Sequence, residues 1–480
     1  MSLPFTYVIG LEVHVELNTQ TKMFCRCKND PFGSEPNSNT CPICTGLPGT
    51  LPVPNKEAVR KTVLVGKALG SEIPKFSKWD RKHYFYPDSP RGYQISQYDL
   101  PICVGGSIDL LDSEGKVEKT VRFERVHLED DAGKLLHGDT PGYSQVDLNR
   151  AGVPLIEMVS KPDMSSPEEA RRFMQELRLL VRTLGVSEAD MEKGQMRCDA
   201  NVSIKFTHEG QEVWSPITEI KNVNSTRGVE RSLTVEAQRL YDEWIAGGPV
   251  RTRKNKLTAG WNEDTQTVNV QRAKEEANDY RYFPEPDIPP LMVYEVPELH
   301  PDAQTVPELP NQRRLRYFGY GLLSADIEVF LNDAERLARF EALVALDESK
   351  AKGSSNWLIN APTCLALPDA DIITLVDLAA NGQLAFAKVK PKLEQIAIER
   401  EREGDIKSIL SRLDLLQVHD AAVVQSAIEE VLVEQATAVA QYRAGETKVL
   451  GFLTGQVLQK SRGKAIAALA QEAMIQALNK

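Results

Sequence analysis

Hydrophobic and polar residues alternate along several short segments of the first 295 residues, as they do in half-buried β-strands. The clearest segment predicts a strand over residues 7–17, with one apolar face and one polar face. The apolar face consists of Leu11, Val13, Val15 and Leu17, and the polar face of Glu12, His14 and Glu16. Further strands are predicted over residues 122–129, 197–205 and 218–221.

Two helices are predicted within this strand-rich region. The first begins after Ser166, which can cap it, with Pro167 at the first helical position and Glu169 completing a capping box. Gly185 ends this helix. Its apolar stripe consists of Phe173, Leu177, Leu180, Val181 and Leu184. The second helix is predicted over residues 226–246.

The pattern changes near residue 295. Residues 279–301 are rich in proline and aromatic side chains, and helical periodicity with few β-branched runs follows them. A charged stretch at residues 399–405 marks a second boundary. The sequence therefore predicts an α+β protein with three domains. They are a large domain with a mixed or antiparallel sheet over 1–295, an all-α domain over 296–405 and a small α-helical tail over 406–480.

Composition narrows the class of protein. The chain has 480 residues of ordinary globular composition, which excludes a disordered or collagen-like chain. Its net charge of −11 argues against a histone-like nucleic-acid binder. No apolar run approaches the roughly 18 residues that a membrane span needs. The first residues resemble neither a signal peptide nor an Arg-rich transit peptide, so the expected compartment is the cytoplasm.

The last forty residues differ in charge from the rest. They contain six basic and two acidic residues, a net charge of +4, which leaves −15 for the other 440. Lys460, Arg462 and Lys464 lie where two predicted helices of this tail meet. A basic junction of this kind suits contact with a phosphate backbone. A solvated helix end explains the pattern alone equally well.

Four of the seven cysteines lie within twenty residues, as Cys25-x-Cys27 and Cys41-x-x-Cys44. Four thiolates make a tetrahedral zinc site, and a site closed by four cysteines is structural rather than catalytic. The first pair is spaced more tightly than usual. The alternative is a set of small buried residues without a metal.

Acidic and histidine residues share strand faces elsewhere. Glu12 lies with His14 on one face, and His127, Glu129 and Asp131 lie on another, with Asp130 at the strand end. Asp199 belongs to a third strand. Carboxylates with an imidazole are typical of Mg²⁺ or Mn²⁺ sites around phosphates. A solvated face of half-buried strands is the competing interpretation.

Arginines and aromatic residues interleave over residues 81–88, 91–98 and 279–287. Such segments can stack on bases and hold phosphates, although a packed structural cleft explains them as well. The sequence contains no G-x-x-x-x-G-K-[ST] loop, so any use of ATP occurs without a P-loop. No cysteine has an obvious glutaminase setting, so this chain is not expected to hydrolyse glutamine itself.

Nine segments, in order, resemble those of one known family. They are IGLEVHVEL, CPICTGLPGTLPVPN, YFYPDSPRGYQISQYDLPI, RVHLEDDAGK, VDLNRAGVPLIEMVSKPD, MRCDANVSI, EIKNVNS, DYRYFPEPDIPPL and GFLTGQV. These long motifs span nearly the whole chain. By them the sequence resembles the B subunit of the aspartyl/glutamyl-tRNA amidotransferases, the GatB family. The resemblance implies a cradle-shaped N-terminal domain followed by a helical domain and a small helical tail.

The resemblance also implies a reaction carried out with partners. A heterotrimer with the amidase A subunit and the small C subunit converts Glu-tRNA(Gln) to Gln-tRNA(Gln), or Asp-tRNA(Asn) to Asn-tRNA(Asn). The amidase releases ammonia from glutamine, and a tunnel delivers it to the B subunit. The B subunit binds the tRNA 3′ end and uses ATP and Mg²⁺ to phosphorylate the side-chain carboxylate, and ammonia displaces the phosphate. The sequence does not decide between the two tRNAs.

Site residues follow from the same resemblance. The implied catalytic, nucleotide-binding and magnesium-binding residues are Glu12, His14, Glu129, Asp130, Asp199 and Lys221. Arg150 is added on its chemistry alone, because a guanidinium can hold a phosphate or carboxylate through two hydrogen bonds. Family members that lack some of the four cysteines imply that zinc is not essential to the reaction. The tail resembles a tRNA-contacting tail, which favours a functional role for its basic residues.

One segment departs from the family pattern. Many members have a Glu-Thr-Arg segment after the second helix, and its Glu approaches the metal. Here Leu257 stands at that Glu position, so either Glu263 or Asp264 replaces it or the metal has one ligand fewer. Two other functions remain open from the residues themselves. One is a zinc- and RNA-binding scaffold without activity, and the other is a stand-alone metal-dependent hydrolase.

Overall fold

The computed structural model describes residues 4–137, 143–252, 255–273, 280–402, 404–416, 421–461 and 466–479. The chain forms two compact units, Met1–Arg313 and Arg314–Lys480. As predicted, the first contains the sheets and the second is helical. The predicted domain boundaries at residues 295 and 405 stay predictions.

In the described part of the chain, the strands lie in the first unit. Those formed by the described residues are β1 Thr6–Glu16, β2 Asp80–His83, β3 Tyr93–Ser96, β4 Cys103–Val104, β5 Ser107–Leu111, β6 Val117–Asp130, β7 Lys134–His137, β8 Ser144–Asp147, β9 Pro154–Ser160, β10 Met196–His208, β11 Gln211–Trp214, β12 Thr218–Val223, β13 Leu257–Asn262, β14 Thr267–Ala273 and β15 Phe283–Pro284. The predicted strands correspond to β1, β6, β10 and β12, so these predictions are confirmed.

One large sheet of ten strands organises this unit. Its main path runs β14-β13-β12-β10-β1-β9-β6-β4, with β11 paired to β10 and β5 to β6. The pairing of β12 with β13 is parallel and the other described pairings of this sheet are antiparallel, so the sheet is mixed. The order places β1 between β10 and β9. Two small sheets, β15-β2-β3 and β7-β8, complete the set among the described residues.

Three helices contribute to the core of the sheet unit: α1 Lys56–Leu69, α2 Pro167–Thr183 and α3 Thr226–Ile245. The predictions of α2 and α3 are confirmed. Ser166 Oγ accepts a hydrogen bond of 3.1 Å from Glu169 N, as predicted. The Glu169 carboxylate accepts a hydrogen bond of 2.7 Å from Ser165 N, whereas a capping box predicts a bond from Ser166 N, one residue later. Helix α1 was not predicted.

The second unit is helical throughout its described residues, apart from one isolated β-bridge. Including α4, which spans the division between the units, the helices are α4 Pro310–Gly319, α5 Ser324–Asn332, α6 Ala334–Leu346, α7 Ala351–Asn360, α8 Asp369–Ala380, α9 Phe386–Val389, α10 Leu393–Arg402, α11 Ile406–Arg412, α12 Ala421–Glu434, α13 Ala436–Arg443, α14 Val449–Lys460 and α15 Ala467–Leu478. Helices α12 to α15 share an apolar cluster that includes Val431, Leu453 and Met474. None of the helices in the described part of the chain is both long and apolar enough to span a membrane.

Candidate active site

Three neighbouring strands place acidic and histidine side chains at one point of the large sheet. His14 of β1 lies opposite Glu157 of β9, and Glu157 lies opposite His127 of β6. Glu129 follows His127 by two residues, so both point to the same face of the sheet. The polar face predicted for residues 7–17 is therefore one side of a larger polar group.

The side chains of this group are in close contact. His14 Nε2 lies 3.3 Å from Glu157 Oε2 and 3.7 Å from Glu129 Oε1. His127 Nε2 lies 3.5 Å from Glu157 Oε2 and 3.6 Å from Glu129 Oε2. Ser96 Oγ donates a hydrogen bond of 2.9 Å to Glu129. We refer to His14, His127, Glu129 and Glu157 as the acid–histidine cluster.

Burial and neighbouring charges shift the protonation of these groups. Burial disfavours a charged His14, but its hydrogen bond to Glu157 and the charges of Glu157 and Glu129 outweigh this and raise the pKa of His14 to about 9. The charge of Glu157, together with burial, raises the pKa of Glu12. Burial opposes ionisation of Glu157, yet the charge of His127 and the hydrogen bond from His14 hold its pKa well below the usual value. Clustered carboxylates of this kind attract cations.

The acid–histidine cluster borders a polar cleft of about 340 Å³. Both signs of charge line it: His14, Lys82, Asp88, Glu129, Asp131, Arg150, Arg197, Asp199 and Lys221. Burial lowers the pKa of Lys82, but the charges of Glu129 and other acids outweigh this and raise it well above its usual value. The Lys82 side chain therefore stays charged at neutral pH. Lys82 Nζ also lies 5.1 Å from the centre of the Tyr280 ring.

Two groups of ion pairs hold the other positively charged side chains at the cleft. Arg197 Nη2 lies 2.6 Å from Asp131 Oδ2, and Arg150 Nε lies 3.6 Å from the same oxygen. Arg150 also donates hydrogen bonds to the carbonyl oxygens of Ala132 at 3.1 Å and Gly133 at 2.7 Å. These bonds fix the guanidinium at the rim of the cleft.

The second group lies on β10 and β12. Lys221 Nζ lies 2.8 Å from Asp199 Oδ2 and 3.7 Å from Glu219 Oε1. Asp199 is also opposite Glu12 in the register of β10 and β1. Glu12 therefore lies between this group and the acid–histidine cluster.

The donor atoms of this site suit divalent cations. One ligand atom from each of Glu12, His14 and Glu157 lies within 4.8 Å of the others, and the same holds for His127, Glu129 and Glu157. Carboxylate oxygens are the donors that Mg²⁺ and Mn²⁺ prefer, and an imidazole nitrogen is a weaker ligand for them than for Zn²⁺. Glu157 belongs to both groups, so its carboxylate is the donor they share.

The four clustered cysteines also suit a metal. The Sγ atoms of Cys25, Cys27, Cys41 and Cys44 all lie within 4.8 Å of one another. Cys41 Sγ and Cys44 Sγ are 3.8 Å apart, which is the sulfur–sulfur separation expected for Zn–S bonds of about 2.3 Å in a tetrahedron. The hydrogen bond from Cys25 lowers the pKa of Cys44 to about 5, whereas the same bond raises the pKa of Cys25 and burial raises that of Cys27 to about 11. Binding of zinc would therefore have to displace protons from the other thiols.

Two family models match this chain. Residues 7–296 match the GatB/GatE catalytic domain, and residues 339–478 match the GatB domain. The chain belongs to the GatB family. The prediction made from the motifs is therefore confirmed.

Relatives of this GatB chain match it over nearly its full length. The B subunit of the aspartyl/glutamyl-tRNA(Asn/Gln) amidotransferase of Thermomicrobium roseum is 43% identical over 490 residues, 99% of each chain. The protein of the same name from Thermotoga maritima is 42% identical and covers 95% of this chain and 96% of its own. That of Thermosynechococcus vestitus is 40% identical, with 100% and 97% covered.

The structure of this GatB chain brings most of the predicted site residues together. Glu12, His14 and Glu129 lie in the groups of potential metal ligands, and Asp199, Lys221 and Arg150 line the adjoining cleft. Their catalytic roles stay predictions.

Asp130 does not join the acid–histidine cluster. Successive residues of a strand point to opposite faces, so Asp130 points away from the face that carries Glu129. Arg91 donates to its carboxylate, and Ile95 N donates a hydrogen bond of 3.1 Å. Asp131 follows Glu129 by two residues, so it points to the same side as Glu129, and it lines the cleft instead.

Several residues of the site were not among the predicted site residues, including His127, Glu157, Lys82 and Asp131. Glu157 is the most central, and the signal for it is a single acid inside the apolar run Leu155–Val159. Lys82 and Asp131 occur in segments whose patterns were recognised, but the patterns did not show which side chains face the cleft. Distances between strands far apart in sequence decide this.

Neither acid considered as a replacement for the family Glu lies in a described ligand group. Leu257 pairs with Thr218 on β12. Glu263 accepts a hydrogen bond from Trp261 Nε1 and lies 3.6 Å from Arg231 Nη1. Asp264 is exposed in the turn before β14. The structure therefore supports neither of them as a metal ligand among the described residues.

The predicted tRNA-contacting residues are only partly described. Lys460 Nζ lies 2.9 Å from a carboxylate oxygen of Glu430 and 2.8 Å from one of Glu434, so two acids already neutralise it. Arg462 and Lys464 lie outside the described residues. Contact between this tail and tRNA stays a prediction.

Proposed function

We propose that this chain is the B subunit of a tRNA-dependent amidotransferase. It phosphorylates the side-chain carboxylate of Glu-tRNA(Gln) or Asp-tRNA(Asn) with ATP, and ammonia then displaces the phosphate. The observation that carries the proposal is the acid–histidine cluster beside a cleft lined by lysine and arginine. The amidotransferase names of the relatives support the substrate class. Because the product serves translation, we expect the enzyme in the cytoplasm.

Phosphoryl transfer depends mainly on positioning and on neutralising charge. Glu12, His14, His127, Glu129 and Glu157 would hold Mg²⁺, which would neutralise charge on the ATP phosphates. Outside this ligand set, the side chains of Lys82, Arg150 and Lys221 place positive charge at the cleft for phosphate or carboxylate oxygens.

The reaction balances without a protein nucleophile. One oxygen of the substrate carboxylate attacks the γ-phosphorus of ATP, and ADP leaves. Ammonia then attacks the acyl carbon, and phosphate leaves with that oxygen. The resulting amide is the side chain of Gln-tRNA or Asn-tRNA. Ammonia would come from glutamine hydrolysed by the amidase A subunit, with the small C subunit completing the heterotrimer.

Reconstitution tests this function. The chain is combined with the amidase and the small C subunit and supplied with mischarged tRNA, ATP and either glutamine or ammonium. We expect amide formation with both nitrogen sources and strict dependence on ATP. An RNA-binding scaffold would bind tRNA without ATP turnover, and a stand-alone hydrolase would act without tRNA or partners. Either result would overturn the proposal.

The tail gives a separate prediction. Ending the chain at Leu416 removes helices α12 to α15 as a whole, so their shared apolar cluster is not cut through. We expect weaker tRNA binding and a shallower dependence of log affinity on log salt, because basic contacts to phosphate are lost. Filter binding at several salt concentrations measures both. Unchanged affinity and slope would contradict a tail contact.

Zinc content gives another prediction. We propose that the four clustered cysteines hold one structural Zn²⁺, so freshly reduced protein should contain about one zinc per chain. Cys41→Ser should lose most of this zinc, whereas Cys364→Ser, which changes a buried cysteine outside the cluster, should retain it. Elemental analysis of the three proteins measures this. Wild-type protein without zinc would refute the proposal.

A further inference from the structure

The segment between the two cysteine pairs is bonded to the loop that carries Arg150. Asn149 is completely buried, and every hydrogen bond of its side chain to the described residues goes to this segment. Asn39 N donates a hydrogen bond of 2.8 Å to Asn149 Oδ1. Asn149 Nδ2 donates hydrogen bonds to the carbonyl oxygens of Glu35, at 2.7 Å, and Ser34, at 3.4 Å. We call residues 25–44 the cysteine segment and residues 146–152 the Arg150 loop.

A second asparagine makes the reverse connection. Asn37 lies in the cysteine segment in a left-handed conformation, with φ of 59°. Its Nδ2 donates a hydrogen bond of 2.8 Å to the Val146 carbonyl oxygen, and its Oδ1 accepts one of 2.8 Å from Leu148 N. Its backbone N donates 3.0 Å to the Asp147 carboxylate. The contact therefore consists of specific hydrogen bonds in both directions.

Lys22 joins this contact to the sulfur atoms. It is completely buried, and its Nζ donates 2.8 Å to the Asn39 carbonyl oxygen. The same Nζ lies 3.5 Å from the Leu148 carbonyl oxygen and 3.8 Å from Cys44 Sγ. A buried lysine needs a charge partner, and four thiolates around Zn²⁺ carry a net charge of −2. Lys22 supplies positive charge at that site.

The far end of the Arg150 loop packs directly on the cysteines. Gly152 has φ of +90°, and a Cβ built there would be 3.3 Å from Cys44 Cβ and 3.5 Å from Lys22 Cδ. Its carbonyl oxygen accepts a hydrogen bond of 2.7 Å from Met23 N, and its backbone N donates one of 2.9 Å to the Asp131 carbonyl oxygen. Asp131 in turn lines the cleft. The loop thus runs between the cysteine site and the proposed active site.

We infer that the metal-bound cysteine segment positions the Arg150 loop, with Asn149 and Lys22 as the positioning residues that connect them. The inference rests on the proposed zinc, and its test by enzyme activity also rests on the proposed function. Zinc then has a role at the cleft without touching substrate. Arg150 should keep its place at the cleft rim only while the cysteine segment is folded around its metal.

Hydrogen exchange of the intact chain tests the connection. Asn149→Ala should speed amide exchange in residues 146–152 by about tenfold or more, since it removes several buried hydrogen bonds, while zinc content stays near one per chain. Asn29→Ala is the matched control. Its side chain bonds to Leu17 and Thr19 rather than to the Arg150 loop, so exchange in that loop should not change.

Chelation provides the second arm. Removing zinc from wild-type protein should speed exchange in the Arg150 loop, whereas removing it from Asn149→Ala should add little, because the connection is already broken. Helix α3 serves as the reference for general unfolding. Additive effects, or no effect of chelation on the loop when zinc was present, would overturn the inference. Wild-type protein that contains no zinc would overturn the zinc proposal, and with it this inference.

Two further readouts address the positioning residues. In Co²⁺-substituted protein, Lys22→Met should shift the thiolate-to-metal charge-transfer band, and Lys28→Met, which changes an exposed lysine of the same segment, should not. In the assembled enzyme, adding Asn149→Ala to Arg150→Met should lower kcat no further than Arg150→Met alone. An unshifted band would exclude Lys22 as the link to the metal, and independent effects on kcat would exclude action through Arg150.

Discussion

Replacing Glu157 by Gln should lower the rate of ATP-dependent amide formation about 100-fold or more. Gln keeps the shape of the side chain but removes the charge that both groups of potential metal ligands share. Binding of mischarged tRNA should persist, because the change lies at the phosphoryl-transfer site. Single-turnover amidation with ammonium as nitrogen source measures the rate directly.

The same variant has a readout that does not depend on activity. The hydrogen bond and charge of Glu157 contribute to raising the pKa of His14 to about 9. In metal-free Glu157→Gln protein, the pKa of His14 should therefore fall, which NMR titration can follow. Glu124→Gln is the matched control, since Glu124 lies on β6, is exposed, and its carboxylate forms an ion pair with Lys161 at 3.7 Å rather than with a residue of the acid–histidine cluster. Full activity of Glu157→Gln would show that the phosphoryl-transfer site lies elsewhere.

Replacing Lys82 by Met should lower kcat about 100-fold. Within the described part of the chain, no carboxylate oxygen lies within 4 Å of Lys82 Nζ. The negative charges of Glu129, Glu157 and Glu12 nevertheless raise the pKa of Lys82. This ammonium is therefore available to an oxygen of a phosphate in the cleft. The raised pKa keeps it charged, so the fold-loss in Lys82→Met should not change between about pH 6 and about pH 9, which lies below even the ordinary lysine pKa of about 10.4. Steady-state kinetics with saturating tRNA measures kcat.

The control for Lys82 lies just before the same strand. Lys75 is an exposed lysine, and Lys75→Met should leave kcat unchanged. Thermal unfolding of both variants checks that the fold is kept. A Lys82→Met enzyme with kcat within about threefold of wild type would contradict a role for this ammonium in the reaction.

Local patterns predicted the fold where one face of an element is buried. Strand β1 alternates clearly, and Ser166 caps α2 as its sequence indicates. Helix α1 was missed although Asn55 caps its start and Gly70 ends it in a left-handed conformation. Its middle, Thr62–Gly66, combines β-branched residues with a glycine, residue types that local propensity assigns to strands or turns rather than helices. Burial against the sheet unit, not local preference, makes this segment a helix.

The active site was predictable only in part for a different reason. Alternation correctly placed His14 with Glu12, and His127 with Glu129, within their own strands. Which strands are neighbours is set by the whole sheet, and β9, between β1 and β6, brings Glu157 into contact with both. The resemblance suggested Asp130, whereas strand parity places Asp131 at the cleft. Sequence spacing gives the face of a strand but not its neighbours.

The most direct test of the account follows the oxygen of the substrate carboxylate. The assembled enzyme is given ATP, ammonium and tRNA charged with Glu or Asp whose side-chain carboxylate is labelled with ¹⁸O, and the released phosphate is analysed by mass spectrometry. The account predicts one ¹⁸O per phosphate for each amide formed, and formation of both products about 100-fold or more slower with Glu157→Gln. Amide formation with unlabelled phosphate would contradict phosphorylation of the carboxylate, and labelled phosphate from Glu157→Gln at the wild-type rate would contradict the site.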